Sequence, residues 1–252
     1  MSPLPPAIPA ATLIIMRPGP AGVPELLMME RTATMAFAAG ALVFPGGRID
    51  PQDHALAAML GDAPEDAAAR VAAIRETIEE TGLAPGLVPA PTAAVAEALR
   101  NELAAEKPFA HALERAGLSF DLAALTPFAR WCPNFRETRR FDTMFYVVEA
   151  PPGMAAGAAQ ASEATRLLWT TARQVLDEAD AGRVQIIFPT RRNLERLARF
   201  GSIEEARADA AAHSIQKITP WVEDRGGRPW VCIPEGIGYP ITAEPLETAR
   251  RR

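Results

Sequence analysis

One segment constrains this chain more than any other. Residues 64–82, PEDAAARVAAIRETIEETG, place Ala67, Val71, Ile74 and Ile78 at helical spacing, so a helix over this stretch has an apolar face that must be buried. Glu65 and Asp66 favour its N-terminus, and Gly82 supplies its stop. Glu76, Glu79 and Glu80 stand at i, i+3 and i+4, which projects all three carboxylates from one side of the same helix. Three crowded anions repel one another unless something positive sits between them. A hard divalent cation such as Mg2+ takes carboxylate oxygens and keeps open water positions, which makes it a natural neutraliser. Arg75 is placed to pair with one carboxylate and fix its rotamer. The plain alternative is a solvated acidic face on a surface helix.

The rest of the chain alternates short apolar runs with helical patterns. Residues 11–17 and 25–31, separated by PGPAGVP, read as a hairpin. A third run, Ala41 to Phe44, ends at Pro45-Gly46-Gly47. Residues 92–118 read as two alanine-rich helices broken near Pro108. Strands are expected at 126–132, 141–149 and 165–170, then helices over 171–180, from Pro189 onward, and over 202–213. The tail at 215–233 reads as two strands joined through Arg225-Gly226-Gly227, and the stretches 85–91 and 151–162 read as loops. Strands with interspersed helices imply an α/β or α+β fold.

Composition narrows the function. Over 252 residues, 31 acidic against 26 basic side chains give a net charge of −5, which argues against a protein that coats nucleic acid or an anionic membrane. The basic residues are nearly all arginine, Lys107 and Lys217 being the only lysines. Cys132 and Cys232 form no CxxC pair, so zinc ribbons and disulfide scaffolds are excluded and a reducing compartment is expected. No signal-peptide pattern or membrane-length apolar run occurs, so the expected location is cytoplasmic. His54, His111 and His213 build no HExxH pair or triad, and no GxSxG, P-loop or GxGxxG pattern occurs.

Arg75-Glu76-x-x-Glu79-Glu80-x-Gly82-Leu83 resembles the second half of the Nudix box, GX5EX7REUXEEXGU with U aliphatic, and Phe44-Pro45-Gly46-Gly47 resembles the strand and turn that open it. The spacing departs from the pattern. Gly47 to Arg75 is 28 positions (75 − 47), twice the unbroken box, so about 14 residues are inserted around Pro51 to Pro64. Counting back from Arg75 puts Ala67 where the box has its first glutamate, and Thr77 takes the first aliphatic position. Further residues are similar to the coenzyme A diphosphatase-like branch, in which a split box is usual. They are Glu30-Arg31, Phe37, Gly40, Asp50, Asp53, Arg130-Trp131, Arg140-Phe141-Asp142-Thr143-x-Phe145, Trp169 and Pro189-Thr190.

The resemblance implies a Nudix-type α/β/α sandwich, a mixed central sheet flanked by helices. A single domain over 1–252 would carry a helical insertion at about 84–125 and a C-terminal helix and strand extension at about 185–245. It implies a hydrolase of diphosphate bonds using Mg2+ or Mn2+. The preferred substrate is coenzyme A or an acyl-CoA, with ADP-ribose or a dinucleotide next; a non-catalytic ligand sensor on the same fold is the rival reading. Glu79 and Glu80 are expected as principal metal ligands, Glu76 as a ligand or as the base that orients water, and Glu163 as a base supplied from a later loop. Gly46, Gly47, Arg31 and Arg140, with Arg139 beside it, are expected on the substrate side. The missing box glutamate leaves Arg75 either without its usual partner or with Glu65 or Asp66 as the substitute, alternatives that spacing does not separate. Asp142, Trp131, Phe145 and Trp169 are read as structural. The expected partners are a small-molecule diphosphate and, in a homodimer, a second copy of the chain.

Overall fold

The computed structural model describes residues 5–19, 22–32, 40–134, 140–151 and 164–250. Its first strand, β1 (Ala7–Pro18), sits in the middle of the sheet. Ala11, Leu13 and Ile15 point to one face and Ile14 and Met16 to the other, all of them buried, as a strand covered on both sides requires. β2 (Pro24–Arg31) returns antiparallel to it, making the expected hairpin. β3 (Leu42–Val43) pairs with β2 and β4 (Gly46–Arg48) with β1, so the two halves of one short segment serve two different strands. The chain then forms α1 (Pro51–Met59) and α2 (Ala67–Thr81). The residues read as inserted around Pro51 to Pro64 therefore include a helix.

β5 (Leu87–Val88) follows inside the expected 85–91 loop, and α3 (Ala93–Ala104) and α4 (Phe109–Ala116) are the two alanine-rich helices. β6 (Ser119–Phe120) pairs with β5 and brackets these two helices. β7 (Thr126–Trp131), β8 (Arg140–Glu149) and β9 (Ala164–Thr171) return to the main sheet. Next come α5 (Ala172–Asp180), α6 (Phe188–Leu197) and α7 (Ile203–Ala212). β10 (Lys217–Ile218) joins the main sheet, while β11 (Trp221–Arg225), β12 (Arg228–Cys232) and β13 (Ala243–Pro245), followed by α8 (Leu246–Arg250), form a separate three-stranded sheet.

The main sheet runs β10-β7-β8-β1-β2-β3, with β4 on β1 and β9 on β2. It is mixed: β8 is parallel to β1 and β10 to β7, and the other pairs are antiparallel. The long parallel pairing explains why β1 begins at Ala7 rather than at residue 11, since Ala7 to Met16 align with Arg140 to Glu149. Val71, Ile74 and Ile78 of α2 pack with Leu13, Ile15, Tyr146 and Val148 on one face, backed by α3 and α4. Val175, Leu194, Leu197 and Ala206 from α5, α6 and α7 pack with Ile14, Met28, Phe128 and Val147 on the other. This is the α/β layering expected. The 151–162 loop lies outside the described residues from 152 on.

Trp131 is buried, as expected, and its indole N–H reaches Asn193 of α6 at 3.2 Å and Tyr239 at 3.0 Å, tying α6 and the segment of Tyr239 to the sheet. Trp169 is partly buried under the Arg17 guanidinium, 4.3 Å from its ring centre. Asp142 takes two hydrogen bonds from Arg130, at 2.8 and 2.9 Å, and an ion pair from Lys217 at 2.9 Å. Burial alone would raise this carboxyl; the bonds and charges of Arg130 and Lys217 outweigh it and hold the group below the usual carboxylate range. Its native pKa being depressed, its stabilising contribution is complete above the unfolded value of about 3.9 and is lost as pH falls below it. Asp142→Asn should therefore cost about 1–2 kcal/mol at pH 7, the low end applying because Arg130 and Lys217 face water, and should flatten the loss of stability between about pH 4 and pH 2. Thermal unfolding at the two pH values checks this; equal acid sensitivity of variant and wild type would contradict it.

Candidate active site

The apolar face of α2 fixes its roll on the sheet, and that roll decides where its charged side chains go. Opposite lies the turn made by Gly46 and Gly47. Gly46 has φ of 153°, and a Cβ there would collide with the backbone of Ala11 and Thr12, so a side chain is excluded. Its N–H donates to Glu80 Oε2 at 2.8 Å, and the Glu80 side chain is buried. A Cβ on Gly47 would meet the Glu76 carboxylate. Two glycines thus let two carboxylates of α2 lie directly on a strand backbone.

Arg75 organises the other side of the patch and is 2% exposed. Its Nε donates to Asp53 Oδ1 at 2.9 Å and its Nη2 to Asp53 Oδ2 at 2.9 Å and to the Arg48 carbonyl at 3.0 Å. Nη1 donates to Glu76 Oε1 at 2.9 Å and to Glu79 Oε1 at 3.2 Å. All five N–H groups of the guanidinium are therefore occupied. Burial alone would make Arg75 easier to deprotonate; the Asp53 hydrogen bonds and the charges of Glu76, Asp53 and Glu79 more than reverse this and hold it well above its ordinary value. The cation is permanent.

Asp53 is fully buried and belongs to the first turn of α1. The Asp50 N–H donates to Asp53 Oδ2 at 2.8 Å, and Asp50 itself lies 3.8 Å from Arg75. The partner of Arg75 is thus neither Glu65 nor Asp66. Asp66 instead accepts from Arg70 at 2.7 Å and from the Tyr146 hydroxyl at 2.9 Å, which holds the start of α2 on β8. Ala67 is buried in the first turn of α2, about 12 Å along the helix from Arg75 at 1.5 Å per residue. Sequence carried a usable signal: counting forward from Gly47 rather than back from Arg75, the box's GX5E spacing lands on Asp53. The extra residues fall between Asp53 and Arg75.

Arg75, Glu76, Glu79, Glu80, Gly46 and Gly47 are gathered into one patch, with Asp53 beneath it. Among the described residues no three acidic, imidazole or thiol side chains converge as a ready-made metal cage, because Arg75 holds two of the carboxylates and the Gly46 amide the third. Arg31 lies at the end of β2 opposite Ala164, and Arg140 at the start of β8 opposite Ala7. The Nε of each is buried without a hydrogen-bond partner among the described residues. Glu163, Arg139 and Phe37 lie outside the described residues.

No protein-family model matches the chain. A Nudix hydrolase structure from Alicyclobacillus acidocaldarius is 29% identical, covers 81% of this chain and 96% of its own, and superposes with a TM-score of 0.69. Acyl-coenzyme A diphosphatase NUDT19 of Homo sapiens is 22% identical over 82% of this chain and 69% of its own length. The protein of the same name from Gallus gallus is 25% identical over 79% and 67%. Its fold and its relatives in sequence are those of the Nudix hydrolases. It is an enzyme of the class that hydrolyses diphosphate bonds. In Nudix terms its box is split: the glycine turn and first acid come before and within α1, and the Arg75 half comes on α2.

The split makes a distinct forecast. Restoring a glutamate at position 67 should not supply Arg75 with a partner, because the guanidinium is saturated and a charge at position 67 would enter the core. Ala67→Glu should lower stability by about 1–3 kcal/mol. In an Asp53→Ala background it should rescue neither stability nor turnover. Thermal unfolding and activity of the single and double variants check this, and recovery of activity in Asp53→Ala/Ala67→Glu would overturn it.

Proposed function

We propose that this Nudix hydrolase is a divalent-cation-dependent diphosphatase acting on coenzyme A or an acyl-CoA. The observation that carries the reading is the patch itself, where three carboxylates of α2 flank a glycine turn around one saturated arginine. The donor set fits a hard cation such as Mg2+ or Mn2+: oxygen atoms only, Glu76 and Glu79 partly open to solvent, and a strand with no Cβ beneath Glu76. The substrate class is supported by the two relatives named acyl-coenzyme A diphosphatase, each aligned over about four-fifths of the chain.

A P–O–P linkage is shielded from nucleophiles by its own negative charge. The bound cation supplies neutralisation of that charge and a more acidic water. Glu79 and Glu80 hold the cation in this reading, with Glu80 oriented by the Gly46 amide. Glu76 is a further ligand or accepts the proton of the attacking water, and Glu163 is the candidate for a base from a loop. Arg75 Nη1 donates to both Glu76 and Glu79 and so fixes the two carboxylates relative to each other. Arg31 and Arg140 are assigned to substrate phosphates, each having an Nε without a hydrogen-bond partner among the described residues. Water attacks one phosphorus in line, the bridging P–O bond breaks, and two phosphate-bearing products leave.

Glu79→Gln and Glu80→Gln should each reduce turnover at least about 10²-fold while the fold remains intact. A panel of CoA, acyl-CoA, ADP-ribose and dinucleotides with Mg2+ or Mn2+, with products identified by mass spectrometry, tests the substrate class. Cleavage of ADP-ribose but not CoA would overturn the CoA assignment alone. Near-wild-type rates in both glutamine variants would overturn the site.

A further inference from the structure

On the reading of α2 as the cation-holding helix, we infer that Arg100, carried by α3 of the helical insertion, is a positioning residue for Glu79 and Glu80. The last carbonyls of a helix have no N–H of their own helix to accept. In α2 the Gly82 N–H closes on the Ile78 carbonyl at 2.9 Å, and the Thr81 hydroxyl donates to the Thr77 carbonyl at 2.7 Å. Leu83 N–H, which in a continuing helix would reach the Glu79 carbonyl, goes to Thr81 Oγ1 at 3.1 Å instead. The Glu79 carbonyl receives Arg100 Nε at 3.1 Å, from a residue 21 positions away. The turn that carries Glu79 and Glu80 is thus capped from another element.

The contact is built rather than incidental. The Arg100 side chain is 14% exposed, and Glu97, one turn earlier on α3, lies 3.8 Å from it. Arg100 also lies against Gly82, whose φ of 70° is the left-handed stop of α2: a Cβ there would sit 3.6 Å from its Nη1. A cation at a helix C-terminus further complements the helix dipole. The insertion therefore reaches the site through one guanidinium, which holds the backbone of the turn whose side chains Arg75 and Gly46 hold from the other side.

Electrostatics gives the test its sign. If Arg100 acted through charge alone, its removal would take a positive charge away from an acidic site and tighten cation binding. A positioning role predicts the opposite. Mn2+ affinity can be read from the electron paramagnetic resonance signal of free Mn2+ for wild type, Arg100→Ala, Arg100→Lys and Leu103→Ala, at a temperature where thermal unfolding shows all four folded. Leu103 is a buried residue of the same helix, outside the contact. Arg100→Ala should weaken Mn2+ binding about 10-fold, and Arg100→Lys should recover part of the loss. Leu103→Ala should lower the melting temperature with affinity within about 2-fold of wild type. Arg100→Ala binding as tightly as wild type or tighter would overturn the inference, as would an equal loss in Leu103→Ala. Failure of wild type itself to bind Mn2+ would remove the reading of α2 and this inference with it.

Discussion

The contact between Arg75 and Asp53 joins two segments that the sequence keeps 22 positions apart, and the site depends on it. A guanidinium this deeply buried costs several kcal/mol to desolvate unless it is paired and fully hydrogen-bonded. Asp53 takes two of its N–H groups with both oxygens, the Arg48 carbonyl takes a third, and Glu76 and Glu79 take the remaining two. Such a pair contributes modest net stability; what it confers is a defined place for each group. Glu76 and Glu79 cannot swing outward without leaving N–H groups of a buried cation unsatisfied.

The fold makes that contact possible by dividing one short segment between two strands. β3 stays with β2 and β4 with β1, so Gly46 and Gly47 emerge beneath α2. Any side chain at Gly46 would strike β1, and any at Gly47 would displace Glu76. α1 then delivers Asp53 within six residues of the turn, held by the Asp50 amide. α3 closes the far end of α2, where Arg100 meets the Glu79 carbonyl. Strand, turn, α1 and α3 thus converge on fifteen residues of one helix.

Much of this was legible in the sequence because it is periodic. α2 declares itself by the spacing of Val71, Ile74 and Ile78, and the central strands by short apolar runs ending at Gly and Pro. The structural reading of Asp142 agrees with its pairing to Arg130 and Lys217, which come from other strands. The partner of Arg75 was misread for a physical reason: an insertion breaks the register, and only counting from the side without the insertion reaches Asp53. Position 67, reached from the other side, lies in the core at the start of α2. Arg100 left no trace at all, because a side chain bonding to a distant backbone carbonyl imposes no pattern on either segment. Of the tail, β11 and β12 match the two strands expected at 215–233, while β10 and β13, two and three residues long, are fixed by their neighbours rather than by their own composition.

A double-mutant cycle between Asp53 and Arg75 tests the dependence of the site on this pair most directly. Asp53→Ala, Arg75→Ala and the double variant would be compared by chemical denaturation and by Mn2+ affinity. The account predicts a coupling of about 2–3 kcal/mol in stability, with each single variant losing Mn2+ affinity nearly as severely as the double. Additive effects in both readouts would show that Asp53 and Arg75 act independently and would contradict it.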